Sequence, residues 1–283
     1  MTPLQVRPFG KDGPEVTLVG LGGEGILRTR GRNAQAQPVI EEAFAQGIAY
    51  FDSARAYDES ERYLGRFWEA HPDGRSRVFQ TSKSPRRDYA GAWADLETSL
   101  ANLHATRLDL WQIHDLRSWE DVKALEGSSG ALDAFREARR QGKAGHIGVT
   151  GHADPEVLTH AVENWPVDSV LLPVNPVEGV LGGFLDRTIP AAVKRGLAVI
   201  GMKVLGAGNF LAPSGGVSAE ILIRYALSQP VTLVIVGCSR PLEVLTLASL
   251  GRDFVPLPRE DQKALENRFA PYAADLAFYR GVD

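Results

Sequence analysis

Four side chains that can hold or transfer a proton lie at or near the ends of three successive apolar runs. Asp52 ends the first run, Tyr57 follows five residues later, and Lys83 and His114 end the second and third runs. A phenol beside an ammonium group can donate a proton, because the positive charge stabilises the phenolate and lowers the pKa of the phenol. An imidazole can orient a carbonyl oxygen through a hydrogen bond. The set therefore predicts proton-transfer chemistry, with Tyr57 as the candidate proton donor.

The position of Asp52 at the end of a buried run supports this prediction. A buried carboxylate without a partner costs several kcal/mol. We expect Asp52 to pair with Lys83, which keeps the ammonium group charged and aimed at Tyr57.

The rest of the chain alternates between strand-like and helix-like segments that must position these residues. Continuous apolar runs, such as VTLVIV at 231–236, are typical of parallel strands covered by helices. Eight strand–helix pairs favour a closed (β/α)8 TIM barrel, in which sites lie at the carboxyl ends of the strands. The predicted strands are 17–21, 50–53, 78–82, 108–113, 146–149, 170–174, 198–204 and 233–236, and the predicted helices are 38–46, 59–69, 89–103, 131–141, one starting at 154, 184–194, 218–228 and 241–249.

Segments at both ends of the chain lie outside the eight pairs. Residues 4–9 and 16–19 flank a turn-rich GKDG sequence, which predicts an N-terminal β-hairpin. A C-terminal helix is predicted at 259–269, followed by a tail whose aromatic residues either close over the mouth of the barrel or pack against its outside. We expect residues 1–283 to form a single domain, as (β/α)8 barrels of this length do.

The four-residue set and its surroundings resemble those of the aldo-keto reductase family, and the resemblance covers nearly the whole chain. It is carried also by LVGLGG at 18–23, GHIGVT at 145–150 and IVGCSR at 235–240. The resemblance implies a barrel whose hairpin plugs the bottom and NADPH-dependent reduction of aldehydes or ketones. It also implies that Tyr57 is the general acid for reduction and the general base for oxidation.

The resemblance further implies a nicotinamide-cofactor site at the mouth of the barrel. Gly151 replaces an amide residue of the family pattern, and Met202 replaces an aromatic ring that stacks on the nicotinamide. Methionine can still pack on a ring through its polarisable thioether. The implied cofactor residues are Gly22, Gly23, Asp52, Thr150, Asn175, Met202, Lys203, Leu205, Gly206, Gly237, Cys238, Ser239 and Arg240.

The choice between NADPH and NADH depends on the segment that opens the last barrel helix. Arg240 and the free N–H groups of that helix suit a phosphate, and Arg240 matches the family's contact to the 2′-phosphate. Glu243, one turn along, would repel a phosphate if it faced the site, and Thr246 and Leu247 replace the expected adenine contacts. A charge-assisted pair should outweigh a screened carboxylate. We expect NADPH to bind more tightly than NADH, which remains a possible cofactor.

Composition argues against several other classes of function. The 283 residues carry a formal net charge of −4 with a pI near 5.9, which does not favour a nucleic-acid partner. Cys238 is the only cysteine, so neither an intrachain disulfide nor a multi-thiolate zinc site can form. His152 and His160 lack metal-ligand spacing, and no metal is expected. The chain shows no secretory signal and no membrane-spanning apolar run, so we expect a cytoplasmic protein.

The substrate is predicted to be a small carbonyl compound or alcohol. The loops 116–130 and 206–217 are rich in Gly and Ser and are the expected walls of the site, and Trp119 and Phe184 are candidate substrate contacts. The basic loop 28–32 either attracts an anionic substrate or the cofactor phosphate, or is simply solvated.

Two further functions stay open beside NADPH-dependent reduction. One is an NAD-linked dehydrogenase that oxidises sugars or other alcohols. The other is a catalytically idle barrel that binds a nicotinamide as a redox sensor or accessory subunit. The complete four-residue set argues against the idle barrel, because a sensor needs no proton donor. No repeat, heptad or apolar stripe indicates the oligomeric state.

Overall fold

Eight parallel strands close into a barrel in the computed structural model, which describes residues 2–211 and 216–280. The predicted (β/α)8 barrel is confirmed, and each predicted strand overlaps a barrel strand. The strands are β1 (Val6–Pro8) and β2 (Glu15–Thr17) of the hairpin, and β3 (Val19–Gly25), β4 (Tyr50–Phe51), β5 (Phe79–Ser84), β6 (Leu108–Ile113), β7 (Ala144–Thr150), β8 (Ser169–Pro173), β9 (Ala198–Met202) and β10 (Leu233–Cys238) of the barrel. Each barrel strand pairs with the next in the chain, and β10 closes the barrel by pairing with β3.

Helices cover the outer face of the strands. None of the described helices combines the length and apolar character required to cross a bilayer. The helices are α1 (Asn33–Ala45), α2 (Ser60–Ala70), α3 (Tyr89–Asn102), α4 (Trp119–Glu126), α5 (Ala131–Arg140), α6 (Pro155–Asn164), α7 (Pro176–Leu181), α8 (Ile189–Lys194), α9 (Ala219–Leu227), α10 (Pro241–Arg252), α11 (Arg259–Phe269) and α12 (Ala273–Leu276).

Several helices differ from the predictions. Helix α12 was not predicted, and the segment predicted as a helix at 184–194 is α-helical only from Ile189. Helix α1 begins at Asn33 rather than at Pro38, which the helix contains in its second turn. Burial of the apolar face of α1 outweighs the hydrogen bond that proline cannot donate. The helices α4 and α7 were not predicted. They begin after Ser118 and Asn175, whose side chains accept hydrogen bonds from backbone N–H groups of the first turn.

The hairpin closes the amino-terminal end of the barrel. Phe9 is buried in the barrel interior, and its ring centre lies 4.6 Å from that of Phe79 at the start of β5. This interior layer is separate from the larger core between strands and helices. Its buried members are Phe9, Val16, Tyr50, Phe79, Leu110, Leu171, Ala198, Ile200, Met202 and Leu233.

The C-terminal segment binds to α7 through Tyr279 and Arg280. The Tyr279 hydroxyl donates a hydrogen bond to Glu178 Oε1 at 2.8 Å and accepts one from Asn175 Nδ2 at 3.1 Å. Arg280 forms an ion pair with Glu178, whose side chain is fully buried. His152, in the loop after β7, contacts the backbone oxygen of Tyr279 through Nδ1. Tyr279 is thus the buried aromatic residue of the tail, and residues 281–283 lie outside the described part of the chain.

Tyr279→Phe is expected to lower the free energy of unfolding by about 1–2 kcal/mol, because both hydrogen bonds of its buried hydroxyl are lost. Urea unfolding followed by tryptophan fluorescence measures this change. Tyr272→Phe is the matched control, since that side chain is 61% exposed, and its change should stay within about 0.5 kcal/mol. Equal effects of the two substitutions would show that the Tyr279 hydroxyl does not hold the segment.

Candidate active site

Asp52 and Lys83 form a buried ion pair at the carboxyl ends of β4 and β5. Lys83 Nζ lies 2.6 Å from Asp52 Oδ2, and the side chains are 0% and 1% exposed. Lys83 also donates a hydrogen bond to the backbone oxygen of Ser53 at 2.8 Å, and Asp52 Oδ1 accepts one from Thr81 Oγ1 at 3.0 Å. These additional bonds compensate for the removal of both charges from water.

Tyr57 and His114 lie beside this ion pair, so the structure brings all four side chains together. Lys83 Nζ is 4.7 Å from the centre of the Tyr57 ring. The rings of Tyr57 and His114 meet edge to face with their centres 5.5 Å apart. Gly23 allows strand β3 to approach this closely, because a Cβ at Gly23 would lie 2.7 Å from Cδ2 of the Tyr57 ring.

The pKa of Tyr57 differs from the sequence expectation. Burial raises the pKa of the phenol well above its ordinary value, and the negative charge of Asp52 adds to the rise. The expected shift of the pKa toward neutrality is therefore not found. Tyr57 is a protonated phenol at neutral pH, which is the form that can donate a proton.

His114 is a neutral imidazole in this environment. Burial lowers the pKa of His114 well below its ordinary value, and the positive charges of Lys83, His152 and Arg87 lower it further. Nδ1 of His114 is buried without a hydrogen-bond partner among the described residues. A buried N–H without an acceptor is costly, so we place the ring proton on Nε2. The Nε2–H group is then available as a hydrogen-bond donor.

Between about pH 7.5 and about pH 5, the native chain is expected to lose more stability than His114→Gln. The folded-state pKa of His114 lies below its unfolded value, so the unfolded chain takes up this proton first as the pH falls. Stability is therefore complete above about pH 6.5 and declines below it by up to about 1.4 kcal/mol per pH unit. Urea unfolding at both pH values measures the difference. Parallel losses in the two proteins would contradict the burial of a neutral His114.

A cavity of about 330 Å³ extends from Tyr57 to the loop after β10. This volume is within the usual range of small-molecule sites, about 300–1,000 Å³. The predicted site residues that line it are Gly22, Gly23, Asp52, Tyr57, Met202, Lys203, Leu205, Gly237 and Ser239, and it is also lined by Glu24, Gly25, Val204, Ala207, Gly208, Ile235 and Val236.

Glu24 is a cavity residue that sequence reasoning missed. Its Oε1 lies 3.4 Å from Lys203 Nζ and 3.1 Å from Arg28 Nη1. The guanidinium of Arg28 lies 5.2 Å from the centre of the Tyr57 ring. Part of the basic loop therefore lies next to Tyr57. The available signal was the position of Glu24 within GGEG at 22–25, directly after the glycines assigned to the cofactor.

Several predicted cofactor residues do not line the cavity, because their polar groups bind other parts of the chain. Thr150 Oγ1 accepts a hydrogen bond from the backbone N–H of Asp115 at 2.8 Å. Asn175 is fully buried and donates to the backbone oxygen of Lys203 at 3.2 Å and to the Tyr279 hydroxyl. Gly206 and Cys238 are also buried outside the lining of the cavity.

The two substrate candidates lie away from the cavity. Phe184 is fully buried, and the guanidinium of Arg280 lies 5.0 Å from the centre of its ring. Trp119 is 50% exposed and packs edge to face against His160, with ring centres 5.1 Å apart. The sequence could not show which aromatic side chains face the core. In the loop 206–217, residues 212–215 lie outside the described part of the chain.

Arg240 has a partner that differs from the expected phosphate. Its Nε donates a hydrogen bond to Glu243 Oε1 at 2.9 Å, and Glu243 Oε2 accepts one from the backbone N–H of Ser239 at 2.7 Å. The Glu243 carboxylate therefore binds Arg240, which the sequence assigned to the 2′-phosphate, together with the backbone N–H of the neighbouring Ser239.

The fold and this cluster place the chain among barrel enzymes whose sites lie at the carboxyl ends of the strands. The model of the aldo/keto reductase family matches residues 18–214. The chain belongs to this family, whose members are NAD(P)H-dependent oxidoreductases.

Two curated relatives are similar to this chain. Pyridoxal 4-dehydrogenase of Microbacterium luteolum is 25% identical over 253 residues, which cover 74% of this chain and 73% of the relative. Probable aldo-keto reductase 1 of Glycine max is 24% identical over 230 residues, and the match spans 74% of this chain and 62% of that relative.

Solved structures share the fold at low sequence identity. The holo form of an aldo-keto reductase from Bacillus halodurans gives a TM-score of 0.77 at 17% identity, covering 93% of this chain and 96% of that chain. An aldo-keto reductase from Klebsiella pneumoniae in complex with NADPH gives a TM-score of 0.74 at 18% identity. The match covers 95% of this chain and 96% of that chain. These similarities support the barrel architecture.

Proposed function

We propose that this chain reduces aldehydes or ketones to alcohols with a hydride from NAD(P)H, and that Tyr57 supplies the proton. The observation that carries this proposal is the buried Asp52–Lys83 ion pair next to the rings of Tyr57 and His114. Burying two charges beside a phenol costs free energy of folding. Buried ionisable groups of this kind are typical of functional sites. Proton transfer to a carbonyl group in the adjoining cavity would give this arrangement a use.

The cavity suits a phosphate-bearing nicotinamide cofactor. Its lining includes Tyr57, Met202 and Ser239, which lies just before helix α10, and Lys203 supplies a positive charge. Met202 would pack against the nicotinamide ring, while Lys203 would bind a phosphate. Bound NAD(P)H supplies the hydride to the carbonyl carbon.

The four clustered residues divide the proton chemistry among them. The Tyr57 hydroxyl gives its proton to the carbonyl oxygen as negative charge develops there. Lys83, held by Asp52, stabilises the phenolate that remains. The Nε2–H of neutral His114 donates a hydrogen bond to the same oxygen and orients it. The reverse sequence oxidises an alcohol, with Tyr57 as the base.

Mixing the protein with NADPH or NADH and a nitrobenzaldehyde tests the proposal. We expect loss of NAD(P)H absorbance that depends on both protein and aldehyde, with one alcohol formed for each cofactor oxidised. An idle nicotinamide-binding protein would bind the cofactor without this loss. That outcome would exclude the reductase function.

A second candidate is NAD-linked oxidation of an alcohol or of pyridoxal. It is favoured by the name of the similar Microbacterium luteolum protein, pyridoxal 4-dehydrogenase. Measuring NADH formation from NAD⁺ and pyridoxal, against the rate of nitrobenzaldehyde reduction, would decide between the two directions. Faster turnover in the oxidative assay would make this candidate the main function.

A further inference from the structure

Glu243 contacts the loop after β10, part of which lines the cavity. Ser239, which gives its backbone N–H to the Glu243 carboxylate, is part of the cavity lining together with Tyr57. A helix begins directly after this loop, and its N-terminal N–H groups favour an anion. The chain therefore supplies its own anion at the start of α10.

The proposed function determines which part of the cofactor reaches this anion, and the role inferred for Glu243 rests on that function. Hydride and proton must meet at one carbonyl group, so the nicotinamide ring lies at the Tyr57 end of the cavity. The phosphates then extend toward Lys203 and the start of α10, both of which attract negative charge. The adenosine end, where NADPH and NADH differ, comes to Ser239 and Arg240.

We propose that Glu243 sets the choice of cofactor by disfavouring the 2′-phosphate, so that the native chain binds NADH at least as tightly as NADPH. A carboxylate can accept a hydrogen bond from the 2′-hydroxyl of NADH, as acidic residues do in other dinucleotide sites. The 2′-phosphate of NADPH is itself negatively charged. It must displace Glu243 from the Ser239 N–H and from Arg240, or bind beside a like charge.

Helix capping is the competing explanation for this contact. Glu243 is the third residue of α10, and a glutamate at this position commonly accepts a backbone N–H from before the helix. The ion pair with Arg240 is well exposed, with side chains 72% and 38% accessible, so it contributes little to stability. Glu243→Gln separates the two roles, because the amide keeps an acceptor oxygen for Ser239 and loses only the charge.

Fluorescence titration of NADH and NADPH into the native chain and Glu243→Gln tests the proposal. In Glu243→Gln the Kd for NADPH should fall by about tenfold, while the Kd for NADH changes by less than about threefold. This gain should be lost again in Arg240→Ala/Glu243→Gln, since Arg240 is the charge that the phosphate meets. Glu220→Gln is the charge-matched control, because Glu220 is an exposed carboxylate in the first turn of α9, and it should keep the native ratio.

Two results would overturn the assignment of Glu243 while leaving the reductase function intact. One is tighter binding of NADPH than of NADH by the native chain. The other is an unchanged ratio of the two Kd values in Glu243→Gln, which capping alone would produce. Failure of the native chain to bind either cofactor would instead overturn the proposed function and this proposal with it.

Discussion

Tyr57→Phe is expected to lower kcat for aldehyde reduction by about 10²–10⁴-fold, because the carbonyl oxygen loses its proton donor. The aromatic ring is retained, so its contacts with Lys83 and His114 are preserved. Binding of NAD(P)H should therefore stay close to the native value. Single-turnover kinetics with a saturating cofactor measure the chemical step directly.

If Tyr57→Phe kept more than about half of the native rate, with chemistry as the slow step, Tyr57 would not be the proton donor. Tyr63→Phe is a suitable control, since Tyr63 is also buried but bonds the backbone of the basic loop outside the cavity. Its turnover should remain near the native value. A comparable loss in both variants would point to disturbed packing.

Lys83→Met is expected to lower the free energy of unfolding by about 3–5 kcal/mol, because it leaves the Asp52 carboxylate buried without its positive partner. The side chains of the pair are almost completely removed from solvent. Replacing both residues, in Asp52→Asn/Lys83→Met, should recover a large part of the loss, since no isolated charge remains. Both variants should lose reductase activity.

Urea unfolding of the two variants measures this coupling. Lys263→Met is the control, because Lys263 pairs with Glu266 on the surface of α11 with its side chain 67% exposed. That change should cost less than about 1 kcal/mol. If Lys83→Met were no more destabilising than the control, the buried pair would not be charged in the folded protein.

The barrel and the clustering of Asp52, Tyr57, Lys83 and His114 were predictable because their signals are local. Continuous apolar runs identify strands buried on both faces, and an ionisable residue at the end of such a run has few reasons to be there other than a site. Asp52, Lys83 and His114 follow this rule. Tyr57 was found by its position in the loop after β4, and its neighbour Asp52 supplied the context.

Contacts between distant segments could not be predicted in the same way. Asn175 and Tyr279 are separated by 104 positions, and nothing near Asn175 indicates that its amide binds a tyrosine of the tail. The contact between the Phe184 ring and the guanidinium of Arg280 likewise joins segments far apart in the chain. The start of helix α1 was also not predicted, because tertiary packing outweighs the helix-breaking effect of Pro38.

The case of Glu243 shows a different limit of the sequence. The sequence shows Glu243 and its possible effect on a phosphate. The size of that effect depends on where the Glu243 carboxylate lies. A screened carboxylate one turn from the site would leave the preference for NADPH intact. A carboxylate bonded to Ser239 and Arg240 would oppose that preference. Only the geometry distinguishes them.

The most direct test of the central claim follows the hydride itself. NAD(P)H with deuterium at the transferable position of its nicotinamide ring is incubated with the native chain and an aldehyde, and the alcohol is analysed by mass spectrometry and NMR. We predict one deuterium on the carbinol carbon in every product molecule, formed far more slowly by Tyr57→Phe. Cofactor binding without labelled alcohol, or alcohol that carries hydrogen from solvent at that carbon, would contradict hydride transfer by this protein.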